Sequence, residues 1–192
     1  MAMPASAPRF WTPSDVLAEL PESTSTHYEC LDGELVVTPV PRVAHELAVD
    51  DLRARLAAVV GRRRTVQGLA DLRLTTDSLV QPDLFVLEAP LRGDMRWEDV
   101  ARPLLIVEVL SPSTARIDRG TKRRLYQQAG VPEYWIVDLA ERLIERWTPG
   151  ATTPDRLQQT LAWADPVTGQ RAEFDLPAFF SAVLDEHRDQ PA

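Results

Sequence analysis

Hydrophobic and polar positions along the chain alternate in two rhythms, and together they predict most of the elements. Residues 42–60 place Val43, Leu47, Leu52, Leu56 and Val59 on or near one stripe, the spacing of an amphipathic helix. Thr12-Pro13 opens a shorter helix over about 13–20, with threonine as N-cap and proline at the first helical position. Tyr28–Leu31 and Glu34–Thr38 read as strands flanking Asp32-Gly33, a pair that tolerates the positive φ a two-residue hairpin turn requires. Further strands are predicted over 64–69 and 71–75.

The centre of the chain carries the clearest signals. Asp83–Glu88 reads as a strand entered through Gln81-Pro82, and a charged connection follows over 89–102. Pro103–Leu110 has the apolar character of a buried strand, interrupted once by Glu108. After the capping loop Ser111-Pro112-Ser113-Thr114, a helix is predicted over Asp118–Ala129 with Ile117, Thr121, Leu125 and Gln128/Ala129 facing inward. Gly130 and Pro132 close it. Strands over Val131–Asp138 and Arg142–Trp147 turn near Ala140. The remainder holds a strand over 156–163, a turn at Asp165-Pro166 and a helix near 177–185. With no repeat, low-complexity tract or linker, the pattern predicts a single α/β (α+β) domain over 12–185, with loose tails over 1–11 and 186–192.

Composition narrows the setting. The chain has 192 residues, enough for one sizeable core. One cysteine, Cys30, rules out an internal disulfide and fits a reducing compartment. The first residues have neither a basic segment nor an apolar one, and no apolar run is long enough to span a bilayer, so a cytoplasmic protein is expected. The net charge of −8 argues against passive nucleic-acid binding, but not against a nuclease whose site recruits a metal ion.

Candidate chemistry centres on Asp83, Glu108 and Lys122. If the strands 83–88 and 103–108 pair antiparallel, the register that joins Glu88 to Pro103 also sets Asp83 opposite Glu108, with Cβ atoms about 4.5–5.5 Å apart. Two carboxylates so close repel unless one takes a proton or a cation sits between them. A magnesium ion held by one or two carboxylates, water and substrate phosphate meets that need. The alternative partner for Glu108 is an arginine from Arg62-Arg63-Arg64 or from the basic run around Arg116–Arg124. Lys122 is the only lysine beside 20 arginines, and it lies at the edge of the inward stripe of its helix. An ammonium is a compact charge that a guanidinium does not replace. Its simpler reading is an i,i+4 pair with Asp118, and Asp118 itself reads equally as an N-cap.

Pro82-Asp83 followed by Glu108-Val109-Leu110 resembles the PD-(D/E)XK nuclease superfamily. The longer run Ile106–Thr114, then Asp118-Arg119-Gly120-Thr121-Lys122, Tyr126 and Gly130–Trp135, is similar to the Uma-two group of restriction-endonuclease-like proteins within it. Leu31-Asp32-Gly33-Glu34-Leu35 and His45 fit the same group, so the likeness covers about 12–150. The resemblance implies a mixed β-sheet flanked by helices and a divalent-metal site for Mg²⁺, with Mn²⁺ as substitute. Asp83 and Glu108 match its metal-binding carboxylates, and the Val109 carbonyl is a further ligand. The superfamily lysine two residues after the glutamate is Leu110 here; the Uma-two group carries its lysine on the next helix, which matches Lys122. Glu34 matches an acidic position that completes the site from the first hairpin, or else is an exposed strand residue; His45 and Glu46 carry weaker signals.

No Gly-rich phosphate loop, zinc spacing or nucleophile elbow is present, and His27, His45 and His187 offer no spacing for a Ser/His triad. Tyr134-Trp135 and Trp147 read as core or subunit-interface residues. The expected function is a Mg²⁺-dependent endonuclease acting on DNA; the resemblance further implies a homo-oligomer, a dimer, and 5′-phosphate and 3′-hydroxyl products. The competing expectation is a catalytically silent nuclease fold serving as an oligomeric binding or regulatory module.

Overall fold

The computed structural model describes residues 9–21, 26–39, 41–68, 70–95, 100 and 103–185; of the expected tails 1–11 and 186–192, residues 1–8 and 186–192 lie outside the described residues, while Trp11 N donates to the Gly33 carbonyl at 2.8 Å and so is tied to the hairpin turn. Helix α1 (Pro13–Glu19) starts at Thr12 as its sequence predicts. The Thr12 hydroxyl accepts from Asp15 N at 3.2 Å, and the Asp15 carboxylate accepts from Thr12 N at 2.8 Å, a reciprocal capping box. Thr12→Ala is expected to cost about 1 kcal/mol of stability in urea unfolding.

Strands β1 (Thr26–Leu31) and β2 (Glu34–Pro39) form the expected hairpin, with Asp32 at φ 51° and Gly33 at φ 84° in the turn. Helix α2 (Val43–Val60) follows. Its buried face is His45, Ala48, Val49, Leu52, Leu56 and Val60, while Val43 and Leu47 face outward. The predicted stripe was therefore rotated at its start. Small Ala48 allows close packing, and His45 turns in to meet a carboxylate described below.

Strands β3 (Thr65–Gln67), β4 (Leu72–Thr75), β5 (Ser78–Val80), β6 (Leu84–Leu87) and β7 (Pro103–Val109) come next. A single helix, α3, then runs over residues 115–128. It is α-helical at Ala115–Ile117, widens into a π turn at Asp118–Lys122 and returns to α geometry at Arg123–Gln128. Strands β8 (Glu133–Asp138), β9 (Leu143–Trp147), β10 (Asp155–Leu157), β11 (Thr160–Ala164) and β12 (Arg171–Asp175) precede helix α4 (Leu176–Asp185). The strand predicted over 156–163 is two strands in different sheets, and β5 and β12 were not anticipated. The three residues Ser78-Leu79-Val80 before Gln81-Pro82, or the five alternating ones of β12, give too short a periodicity to read.

Among the described residues a six-stranded mixed sheet has the order β10-β9-β8-β7-β6-β3, antiparallel except for the β7–β8 pair. Helix α3 supplies the crossover that this parallel pair requires. A four-stranded sheet β2-β1-β5-β4 and the β11–β12 hairpin complete the fold. One face of the large sheet (Leu84, Val86, Leu105, Val107 and Val109) packs under α2 and α4 with Trp135, Trp163 and Phe174. The other face (Phe85, Ile106, Tyr134 and Ile136) packs under α3 and the smaller sheet. The β6–β7 register matches the expectation at the site end: Leu84 faces Val107 and Phe85 faces Ile106. A bulge after Val86 shifts the far end, so that Leu87 rather than Glu88 meets Pro103.

Candidate active site

Extending the β6–β7 register by one residue puts Asp83 opposite Glu108, at the carboxyl end of a central strand. Open α/β sheets commonly place ligands at such an end. Both residues line a cleft of about 260 Å³. The Asp83 Oδ2 atom accepts from the Val109 backbone N–H at 2.7 Å and lies 3.0 Å from His45 Nε2. Glu108 Oε1 accepts from Lys122 Nζ at 2.9 Å and from the Tyr126 hydroxyl at 2.8 Å. Each carboxylate is thus anchored through one oxygen. Among the described residues, no hydrogen bond reaches Asp83 Oδ1 or Glu108 Oε2.

The hairpin and helix α3 converge on the same point. Glu29 of β1 is buried; its Oε1 accepts from Gln81 N at 2.8 Å and its Oε2 lies 3.0 Å from Lys122 Nζ. Asp118 Oδ1 lies 3.8 Å from the same ammonium. The π turn makes this possible. A wider turn rotates the helix by about one residue, so the inward positions become Asp118, Lys122, Leu125 and Tyr126 instead of Ile117, Thr121 and Leu125. Lys122 is only 4% exposed, so its charge is neutralised by these carboxylates and not by water.

Burial and mutual repulsion set the electrostatics. Burial pushes the Asp83 carboxyl up, but the His45 ring, the Val109 N–H and Lys122 outweigh it and hold Asp83 below its ordinary value. Burial raises Glu108 well above the carboxylate range against the pull of Lys122, with Asp83, Asp118 and Glu29 adding repulsion. Burial opposes charge on Lys122, yet Glu108, Glu29, Asp118 and Asp83 together raise its pKa. Burial likewise lowers His45, and the Asp83 contact more than restores it.

Asp118 is pushed by burial to about 6, and its Oδ1 is buried with no hydrogen-bond partner. The folded state therefore binds a proton more tightly here than the unfolded chain does. Ionisation costs stability above pH 6, and the cost disappears as pH falls toward 4. Asp118→Asn is expected to stabilise the protein by on the order of 2 kcal/mol at pH 8 and by nothing near pH 4, read by urea unfolding across that range.

Donor chemistry suits a hard cation. Among the described residues, two opposed carboxylates each have an oxygen without a hydrogen bond, and a third buried carboxylate oxygen, Asp118 Oδ1, has no hydrogen-bond partner. Among the described residues, no three His, Cys, Asp or Glu side chains already form a closed cage. That is compatible with magnesium, which keeps waters and uses one or two carboxylates.

The family model described as "Uma2: Putative restriction endonuclease" matches residues 15–176. The chain belongs to the Uma2 family. A Uma2 relative would be expected to share the fold, and a solved structure does. The crystal structure described as "a putative nuclease belonging to DUF820 from Anabaena variabilis" superposes with a TM-score of 0.67 at 19% identity, covering 88% of this chain and 98% of that one. The fold is thus restriction-endonuclease-like. In sequence, the protein named uncharacterized protein sll1609 of Synechocystis sp. is 29% identical over 122 residues, 61% of this chain and 69% of that protein.

In this Uma2 chain, Asp83, Glu108, Val109 and Lys122 come together at the cleft. Glu34 does not. It is exposed and pairs with Leu31 at the turn end of the hairpin, four residues and about 13 Å along the strand from Thr38, which lines the cleft. The acid this hairpin delivers is Glu29, whose even spacing with Leu31 was the available signal. The Glu108 partner is Lys122, not an arginine. Asp118 lies inside the helix and caps nothing, and Tyr126 emerges as a site residue through its bond to Glu108. Tyr134 and Trp135 are core residues.

Proposed function

We propose that this protein is a divalent-metal-dependent endonuclease that hydrolyses phosphodiester bonds of DNA. The observation that carries the reading is the opposed pair Asp83 and Glu108, each anchored by one oxygen, with the Lys122 ammonium on the second of them. Asp83 and Glu108 would hold Mg²⁺, with the Val109 carbonyl beside them. When bound, the ion supplies Lewis-acid polarisation of the phosphate and a lower pKa for water.

The chain's own groups do the rest. His45 and the Val109 N–H fix the Asp83 rotamer, and Tyr126 fixes that of Glu108. Lys122 stays protonated among its carboxylates and supplies positive charge to the phosphoryl oxygens as the water oxygen bonds to phosphorus. The P–O3′ bond breaks as the water oxygen bonds to phosphorus; the proton the attacking water gives up passes to solvent and the leaving oxygen takes one from solvent, leaving a 3′-hydroxyl and a 5′-phosphate.

A second reading, a catalytically silent module, draws on the same ammonium: Glu29 and Glu108 already hold Lys122 at 3.0 and 2.9 Å. Calorimetric titration of Mn²⁺ separates the two. Wild type is expected to bind, and Asp83→Ala or Glu108→Ala to abolish binding, with nicking of supercoiled plasmid lost in parallel. Absence of binding even with DNA present would favour the silent module.

A further inference from the structure

The cleft is lined by four carboxylates, Glu29, Asp83, Glu108 and Asp118. On a chain of net charge −8, such a lining repels a polyanion, and the buried Lys122 is committed to these acids. Among the described residues, Arg42 is the only exposed lysine or arginine in the lining. Among the described residues its guanidinium forms no ion pair or hydrogen bond, unlike those of Arg9, Arg53, Arg55, Arg92 and Arg146, each paired with an acid, and like that of Arg62 outside the cleft.

The Arg42 backbone is firmly placed. Its carbonyl accepts from His45 N at 3.0 Å and Glu46 N at 3.2 Å, closing the first turn of α2. That turn carries His45, whose ring holds Asp83. Arg42 is thus one helical turn from a residue that contacts the proposed metal ligand. The Ser111–Thr114 loop, also in the lining, offers less. Ser111 Oγ lies 2.9 Å from Ser113 Oγ and 3.0 Å from Thr114 Oγ1, so those hydroxyls satisfy one another.

We propose that Arg42 is a substrate-binding residue that grips a DNA backbone phosphate next to the scissile one. A guanidinium forks two donors onto phosphate oxygens, and that geometry suits a fixed rim position. The assignment rests on the endonuclease reading and adds to it the group that brings an anionic strand into an acidic cleft.

The test is fluorescence anisotropy of a labelled DNA oligonucleotide in Ca²⁺ over a range of salt, with wild type, Arg42→Ala and Arg62→Ala. Arg62 makes the same charge change, is exposed, and lies beyond the opposite end of the 18-residue α2, about 27 Å away. Arg42→Ala is expected to weaken binding about 5–20-fold and to reduce the salt slope by about 1. Arg62→Ala should leave both near wild type, and Mn²⁺ titration of Arg42→Ala should match wild type. Equal losses in the two variants, or none in Arg42→Ala, would overturn the assignment while leaving the endonuclease reading in place. Failure of wild type to bind any oligonucleotide would overturn both.

Discussion

If the protein is the endonuclease proposed above, Lys122→Met is expected to lower DNA cleavage by at least about 100-fold, and in either case to destabilise the fold by about 3–5 kcal/mol. The second effect follows from the number of charges left behind. Glu29, Glu108 and Asp118 are each no more than 4% exposed, and Lys122 is the only lysine or arginine among the described residues that pairs with any of them. Without it, Glu108 and Asp118, which burial already holds above their ordinary values, lose the ammonium that pulled them down and bind protons more tightly still in the folded state. The loss should then be largest at pH 8 and shrink as pH falls toward 5, because stability gained by binding protons grows on acidification. Urea unfolding across that range checks the sign. A loss independent of pH would mean that the ammonium acts mainly through packing.

Lys122→Arg tests the chemistry separately from the charge. The ammonium sits between acceptors at 2.9 and 3.0 Å, a gap shaped for a point charge. A planar guanidinium is larger and directs its donors differently. Cleavage is expected to remain at least about 10-fold below wild type even though net charge is unchanged, while the pH dependence of stability returns toward wild type.

The legible part of this site was the part written in strand geometry. A period of two and a straight register carried Asp83 to Glu108, and the bulge after Val86 lies on the side away from them. Helix geometry misled where it departed from 3.6 residues per turn. Nothing in Asp118-Arg119-Gly120-Thr121-Lys122 announces a π turn, so Lys122 reads as the edge of the stripe and Asp118 as its i,i+4 partner or as a cap; the pair is present, but both residues are buried. Glu29 escaped notice for a different reason. Its burial depends on β1 lying beside β5 and on Gln81 N reaching its carboxylate, a contact spanning 52 residues. The same holds for His45, whose inward turn is explained only by Asp83, 38 residues away. Local periodicity does not report partners at that distance.

Arg64 illustrates the same limit and carries the other large expected effect. In sequence it is the last of three arginines, and Arg62 and Arg63 are exposed as a solvated run should be. Arg64 instead turns inward. Its Nη1 and Nη2 atoms donate to the two Asp165 oxygens at 2.7 and 2.8 Å, and its Nε donates to the Leu87 carbonyl at 2.8 Å. The fork ties the β11–β12 hairpin, through Asp165 just beyond β11, to the end of β6 opposite Asp83. The Arg64 fork, joined by Thr168 Oγ1 donating to the same carboxylate at 2.6 Å, holds Asp165 far below the ordinary range. Arg64→Ala removes three hydrogen bonds and leaves a fully buried carboxylate with only Thr168 and the Val167 N–H. The expected cost is about 3–5 kcal/mol, on the order of a 10 °C fall in Tm. Because the native carboxyl is depressed, its contribution is present above about pH 4 and is lost as pH falls below that. The gap between wild type and variant should therefore narrow in acid, as it does at Lys122, but over the lower range below about pH 4. Mn²⁺ titration of the folded Arg64→Ala protein should match wild type, since the substitution lies at the far end of β6; a weakened titration would mean that this staple sets the position of Asp83 as well as the stability of the fold.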